Sequence, residues 1–191
     1  MKNQKIKQVK FSLFFSLLLL IAFLYGCAGT RANINALQPI EEGQTFTNYK
    51  NLDIKTEISN GVEMSQNRVD GIVLWILTML KEKDPNRFAK IGRECLGVSV
   101  EVNEPSTLLL TINFTKYDEG NKWLRFFLAG LGQMNIDGIV KISDKDTNKV
   151  IAEYEVSKNF SWGGAYGAET SIAAIEPAFA EAVVDIILQK E

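Results

Sequence analysis

The chain of 191 residues contains no histidine. This absence excludes Ser-His-Asp and Cys-His catalysis, and it excludes every metal site that depends on an imidazole ligand. Carboxylates, lysines and hydroxyls remain for chemistry, and all of them are also ordinary surface residues. The sequence therefore predicts a protein that is not an enzyme and that has no cofactor and no metal. A carboxylate-based hydrolase is the alternative.

Cysteine is scarce as well, with only Cys27 and Cys95. Cys27 follows an apolar run of 14 residues, Phe11 to Leu24, which itself follows four lysines. A helix that spans a membrane needs about 20 apolar residues, so this run is too short. A basic leader, a short apolar run and a small residue are typical of a secretory signal peptide. We therefore predict a signal peptide over residues 1–26.

The segment Leu24-Tyr25-Gly26-Cys27 resembles the lipobox of bacterial lipoproteins. A thiolate is nucleophilic enough to take a diacylglyceryl group, and a small residue at Gly26 admits the signal peptidase. The resemblance implies cleavage between Gly26 and Cys27, and lipidation of Cys27 by palmitate-type acyl chains. Because Ala28 follows rather than aspartate, it also implies the outer membrane, facing the periplasm. An uncleaved N-terminal anchor with an incidental cysteine is the alternative.

Removal of the leader also removes four lysines, so the net charge of the chain changes from −2 to −6. An acidic protein of this kind is not expected to bind nucleic acid. Cys95 would then be the only free thiol, which leaves no intramolecular disulfide. A spare cysteine of this kind is more often a buried apolar residue than a reactive group.

The rest of the chain divides into a tether and one domain. Residues 27–47 are polar and lack periodicity, which predicts a lipidated N-terminus and a flexible tether. Residues 48–191 form the predicted single periplasmic domain. Alternation of apolar and polar residues predicts strands at 49–58, 107–117, 133–143 and 150–158, with a short edge strand at 88–91. Helices are predicted at 65–83 and 170–189, with Pro177 either kinking the second helix or beginning it.

The order of these elements predicts an α+β fold. Several strands have one polar and one apolar face, which favours a two-layer domain with a mainly antiparallel sheet and two amphipathic helices on one face. The first helix is broadly apolar, because Leu74, Trp75 and Met79 extend beyond its core stripe. We expect it to be embedded in its own domain, and a partner interface is the alternative.

A candidate interface lies between the second and third long strands. The apolar residues of the segment 123–131 fit neither a helical nor a strand period cleanly, and we predict that it meets a partner. The proposed contact residues are Trp123, Phe126, Phe127 and Leu131. A lid that folds back on the core is the alternative, because large apolar side chains seldom stay in water.

Two further segments have site-like patterns. Aromatic residues among glycines, Phe160, Trp162 and Tyr166, are expected to form a plain structural loop, and a candidate binding loop for a sugar or lipid is the alternative. The oxygen-rich run 144–148 with Glu155 partly matches a calcium-binding loop, but Lys149 stands where glycine is needed. We therefore expect a hairpin turn there, and we expect Glu153 and Glu155 to lie on a solvated strand face.

The C-terminal half resembles a family of bacterial envelope lipoproteins that carry domain of unknown function 4410. The residues that carry this resemblance are Gly120, Arg125, Gly130, Gly132 and Asp144-x-x-Thr147, with Asn148 where the family usually has glycine. The resemblance covers about Tyr49 to the C-terminus. It implies an envelope-facing α+β domain and no known catalysis.

Together these features predict an outer-membrane lipoprotein with a non-enzymatic periplasmic domain for protein–protein interaction or envelope assembly. Its partners would be the membrane, through Cys27, and another envelope protein or a second copy of itself. The alternative is a periplasmic binding module for a small ligand, a glycan or a lipid.

Overall fold

The computed structural model describes residues 31–93, 106–128 and 131–189, and these form six strands with four α-helices. The predicted signal peptide with Gly26 and Cys27, and also Cys95 and Gly130, lie outside the described residues. The strands are β1 (Asn33–Gln38), β2 (Asn51–Ile58), β3 (Lys90–Arg93), β4 (Thr107–Asp118), β5 (Met134–Asp144) and β6 (Val150–Phe160). The helices are α1 (Gln66–Lys83), α2 (Lys122–Phe127), α3 (Gly164–Glu169) and α4 (Glu176–Ile187).

The six strands form one sheet in the order β1-β6-β5-β4-β2-β3. The pairs β1–β6, β6–β5 and β5–β4 are antiparallel, whereas β2 runs parallel to both β3 and β4. The predicted α+β class is confirmed, but the prediction of a mainly antiparallel sheet is wrong because the sheet is mixed. A crossover through α1 is what allows neighbouring β2 and β3 to run in the same direction.

The core lies on one face of the sheet. Side chains alternate along β4, with Leu108, Leu110, Ile112 and Phe114 fully buried and their neighbours partly exposed. The register of β4 and β5 places Ile112 beside Val140 and Leu110 beside Ile142, so the buried sides of the two strands coincide. This period of two is the pattern that predicted these strands from the sequence.

Helices α1 and α4 supply the apolar side chains that complete the core. The stripe Val69, Ile72, Val73, Ile76 and Leu80 of α1 is buried as its spacing predicts, while Leu74 and Trp75 are exposed. The expectation that all of α1 is embedded is therefore wrong for these two side chains. Phe179 of α4 packs on Phe114 of the sheet, with ring centroids 5.7 Å apart.

The N-terminal boundary of the domain differs from the one expected, whereas the last helix follows the alternative in which Pro177 lies at its beginning. The predicted tether 27–47 contains the edge strand β1, which is exposed along its length and lacks an alternating pattern that could reveal it. The last helix begins at Glu176 with Pro177 in its first turn, where the missing N–H of proline needs no partner. It is preceded by a 3₁₀-helix, Ile172–Ala174. None of the described helices has the length and apolar character needed to cross a membrane.

Candidate functional site

Exposed aromatic side chains gather at one end of the sheet, on the connection from β4 to β5. This connection folds as the short helix α2, whose N-cap residue Asn121 accepts a hydrogen bond from the N–H of Leu124 at 3.1 Å. Trp123 and Phe127 are 73% and 68% exposed. Their rings stack with centroids 6.1 Å apart, and Phe126 meets Phe127 edge-on at 4.8 Å. These exposures disfavour the lid alternative.

The segment after β6 brings a second set of aromatic rings to the same end. The glycine-rich stretch, expected as a loop, forms α3. Tyr166 lies between Trp162 and Phe160, with ring centroids 6.3 Å and 6.1 Å away. Trp162 and Tyr166 are exposed, whereas Phe160 is half-buried against the core. We call the exposed set the aromatic end, and its members are Trp123, Phe126, Phe127, Leu128, Leu131, Trp162 and Tyr166.

Arg125 joins the two halves of the aromatic end and is itself completely buried. Its Nε donates to the carbonyl of Gly167 in α3 at 2.8 Å. Its Nη1 donates to the carbonyls of Glu119 and Gly132, both at 2.8 Å, and Nη2 donates to that of Thr170 at 3.4 Å. The guanidinium therefore satisfies four backbone acceptors, two from the β4–β5 connection and two from the β6–α4 connection. A planar fork of five N–H donors can do this, and a lysine cannot.

Three glycines allow the backbones at the aromatic end to approach this closely. Gly120 and Gly132 have φ of +64° and +68°, and a Cβ on either would lie within 2.4 Å of a backbone oxygen of the facing loop. A Cβ on Gly167 would lie 2.0 Å from the carbonyl oxygen of Trp162. The three glycines thus permit the close approach of the backbones, and Arg125 holds these backbones together by hydrogen bonds. Together they support the segments that carry the exposed aromatic rings.

A polar cluster lies beneath the aromatic end, where β4 meets the helices. Glu176 is buried; its carboxylate accepts a hydrogen bond from the Tyr117 hydroxyl at 2.7 Å and lies 3.7 Å from the guanidinium of Arg68. Burial and the bond to Glu176 raise the pKa of Tyr117 above its usual value. The cluster is internally satisfied and ties α1, α4 and the end of β4 together, so a structural role accounts for it.

The oxygen-rich run 144–148 is a hairpin turn between β5 and β6, as expected. The Asp144 carboxylate accepts hydrogen bonds from the N–H and the hydroxyl of Thr147 at 2.8 and 2.9 Å, and from the Tyr49 hydroxyl at 3.0 Å. These bonds, with the Thr147 N–H as the largest cause, hold the pKa of Asp144 below its usual value. Asn148 has φ of 57°, a conformation that asparagine tolerates.

The acidic pair on β6 lies as expected away from the core. Glu155 is exposed and Glu153 half-buried, and Asn35 of β1 donates to Glu155 at 3.5 Å. Within the described ranges, no group of three or more acidic or thiol side chains is placed to hold a metal ion.

Residues 91–164 match the family model described as Domain of unknown function (DUF4410). The predicted resemblance to DUF4410 is confirmed over these residues, which are fewer than the expected range from Tyr49 to the C-terminus. The match spans β4, α2, β5 and β6, and thus includes Arg125, Gly120 and Gly132. No curated protein matches the chain.

Among the solved structures with a distant likeness are the following three. The PelC dodecamer of Paraburkholderia phytofirmans is 7% identical, with a TM-score of 0.48 and coverage of 80% of this chain and 96% of that one. A DUF330 protein of Xanthomonas campestris is 12% identical, with a TM-score of 0.47 over 78% and 88% of the two chains. A Helicobacter pylori protein described as a neuraminyllactose-binding hemagglutinin homolog is 11% identical, with a TM-score of 0.47 over 78% and 86%. At these values the likeness gives no information about function.

The structure brings the predicted interface and the candidate binding loop together into one surface. The sequence indicated two separate sites, because 28 residues lie between Leu131 and Phe160. The sequence indicated Arg125 as one of the residues that carry the family resemblance, but it did not indicate that the guanidinium is buried. A lone arginine flanked by large apolar residues and by glycines at 120 and 132 was the available signal for a buried guanidinium.

Proposed function

We propose that this protein is an outer-membrane lipoprotein, anchored at Cys27, whose non-enzymatic periplasmic domain binds another component of the envelope through the aromatic end. The anchor rests on the leader and the lipobox-like segment. The binding role rests on one observation, the exposed aromatic side chains held on a base fixed by Arg125. Several exposed aromatic side chains at one end of a fold are uncommon on a protein that works alone in water.

Rigidity strengthens this proposal. Loops that merely expose apolar residues could collapse onto the core and hide them. Here the carbonyls of Gly167, Glu119 and Gly132 accept hydrogen bonds from Arg125. These bonds hold α2 and α3 in place with their aromatic side chains facing outward. A surface that is already ordered loses less conformational entropy on binding.

A second candidate function is the binding of a glycan or another small ligand at the half of the aromatic end that α3 provides. The observation in its favour is the arrangement of Trp162 and Tyr166, which are both exposed and meet at an interplanar angle of 84°. Two rings set edge-to-face could hold a sugar ring against one face and limit its sliding with the other. Binding of oligosaccharides that is lost in Trp162→Ala and kept in Trp123→Ala would favour this candidate.

The main proposal can be tested by the access of a membrane-impermeant maleimide to single introduced cysteines. Leu131→Cys places a thiol in the aromatic end, and Leu74→Cys places one at a similarly exposed position of α1. The unsubstituted chain gives the background from Cys95. We expect both variants to react fully in detergent solution, and only Leu131→Cys to be protected, several-fold, in intact envelopes.

Equal reaction of Leu131→Cys in envelopes and in solution would show that nothing covers the aromatic end, and the binding role would be wrong. The anchor is tested separately by mass spectrometry of the mature N-terminus. A mature chain without acyl groups on Cys27 would overturn it.

A further inference from the structure

The place where the chain enters the sheet and the aromatic end lie at the same end of the fold. Strand β1 begins at Asn33, which pairs with Ser157, three residues before the last residue of β6. That residue, Phe160, pairs with Met134 at the start of β5, and Asn135 pairs with Asp118 at the end of β4. Helices α2 and α3, which follow β4 and β6, therefore lie where β1 begins.

The chain between the anchor and the sheet is short. Six peptide units separate Cys27 from Asn33, and a fully extended chain covers at most about 3.6 Å per residue, or about 22 Å in all. The pairing of β1 with β6 leaves no further slack, because Asn33 is already part of the ladder. If acyl chains on Cys27 lie in a bilayer, the end of the sheet that carries the aromatic rings stays close to that bilayer.

The side chains at this end suit the boundary between lipid headgroups and acyl chains. Tryptophan and tyrosine are enriched at that boundary because each has an apolar ring with a polar edge. Trp123, Trp162 and Tyr166 are exposed here, together with Phe127. If the domain meets the membrane with this end first, the aromatic side chains carried by α2 and by α3 reach the lipid together.

The charges around the aromatic end are mixed in sign. The exposed basic residues are Arg31, Lys116 and Lys122, and the exposed acidic residues are Asp118, Glu119 and Glu169. Arg125 is buried and does not reach a surface. Attraction to anionic lipid needs a cluster of basic side chains, which this surface lacks among its described residues. The mixed charges around the aromatic end are therefore better suited to a zwitterionic bilayer than to an anionic one.

We propose that the aromatic end inserts Trp123, Phe127, Trp162 and Tyr166 into the zwitterionic surface of the membrane that holds the acyl chains of Cys27. The lipid anchor supplies proximity, and the aromatic end sets the orientation of the domain on the bilayer. This inference rests on the proposed function, since without the anchor the short connection places no bound on the distance. A protein partner on the same surface is the competing occupant.

The three tryptophans of the chain allow a direct test. Trp75 is 43% exposed and Trp162 is 46% exposed, but Trp75 lies nine residues into α1. Helix α1 runs away from the aromatic end toward the start of β3, so Trp75 is displaced by about 13 Å along its axis. Variants that keep one tryptophan each, with phenylalanine at the other two positions, isolate Trp75, Trp123 and Trp162.

The experiment uses the full acylated chain in vesicles of phosphatidylcholine brominated in its acyl chains, with mass spectrometry of Cys27 on the same sample. We expect bromine to quench Trp123 and Trp162 several-fold more strongly than Trp75. Added anionic lipid should leave this ratio unchanged, and Phe127→Ser should reduce the quenching of Trp123 while Leu74→Ser does not.

Acylated protein in which Trp123 and Trp162 are quenched no more than Trp75 would overturn this inference and leave the anchor intact. If the aromatic end is nevertheless protected in native envelopes, its occupant is a protein. A mature chain without acyl groups would overturn the anchor and this inference with it.

Discussion

The core and the aromatic end both contain paired aromatic rings, and they differ in where their polar groups lie. In the core, Phe114 and Phe179 are buried, and the backbone around them is satisfied by the strand ladder and by helix α4. At the aromatic end, the rings of Trp123 and Phe127 face outward, and a charged side chain, Arg125, occupies the interior.

The reason for this inversion is the backbone. Two connections, from β4 to β5 and from β6 to α4, meet at the aromatic end, and the carbonyls of Glu119, Gly167 and Thr170 lie outside the strand ladder. A buried carbonyl without a hydrogen-bond donor raises the free energy of the folded state. The guanidinium of Arg125 is therefore buried among these carbonyls, and the apolar rings remain exposed. At this end of the fold, the hydrogen bonds of the backbone carbonyls therefore outweigh the burial of large apolar side chains.

The largest effect should come from the core. Phe179→Ala removes a fully buried ring that packs on Phe114, and we expect it to lower the free energy of unfolding by about 3–5 kcal/mol. Urea denaturation of the wild-type and variant proteins measures this. A loss below about 1 kcal/mol would mean that the core as described does not hold the fold together.

Removal of the buried guanidinium should be nearly as harmful. Arg125→Leu removes the side-chain donor to the carbonyls of Gly167 and Glu119, and it removes one of two donors to the carbonyl of Gly132, which keeps the N–H of Asn121. We expect a loss of about 2–4 kcal/mol. Lys122→Leu on the same helix removes an exposed charge and serves as the control, with little expected effect. Equal urea midpoints for the two variants would contradict the structural role of Arg125.

The close approach of the loops can be tested with a pair of glycines. Gly132→Ala forces a side chain into a left-handed conformation against the Asn121 carbonyl, and we expect a loss of about 1–2 kcal/mol or more. Gly71→Ala lies within α1, where the nearest atom is 4.0 Å away, so it should stabilise the protein by about 0.5–1 kcal/mol. Melting temperatures that shift in the same direction would be inconsistent with this geometry.

The hairpin turn should show a dependence on pH. The pKa of Asp144 is held below its unfolded value, so its ionised form stabilises the folded state at neutral pH. This contribution is lost as the pH falls through the lowered pKa. Asp144→Asn should therefore lose about 1 kcal/mol at pH 7 and less in acid. A difference between the proteins that does not shrink in acid would argue against an ionised Asp144 in the turn.

The smallest effect on stability should come from the aromatic end itself. Phe127 is 68% exposed, so Phe127→Ser should change the free energy of unfolding by less than about 1 kcal/mol, through its contacts with Trp123 and Phe126. Urea denaturation of Phe127→Ser and Phe179→Ala in the same series compares the free energy of unfolding that each ring contributes, one at the aromatic end and one in the core. Similar losses for both would show that Phe127 belongs to the core.

Much of the fold could be predicted from the sequence. Period-two patterns located β2, β4, β5 and β6 to within a few residues, and the spacing of apolar residues located α1 and its core stripe. Those signals are local, since each strand or helix carries its own periodicity. The hairpin at Asp144 followed in the same way from residues that favour turns.

The sequence could not decide what depends on pairing between distant segments. Strand β1 has no alternation because both of its faces are exposed, so only its ladder with β6 defines it. The direction of β2 relative to β3 and β4 depends on where α1 returns the chain, which no local pattern encodes. The sequence determined that large apolar residues lie at 123–131 and 160–166; the tertiary structure alone decided that they share one surface. The physical reason is Arg125, whose four hydrogen bonds reach carbonyls from the loops that carry both sets.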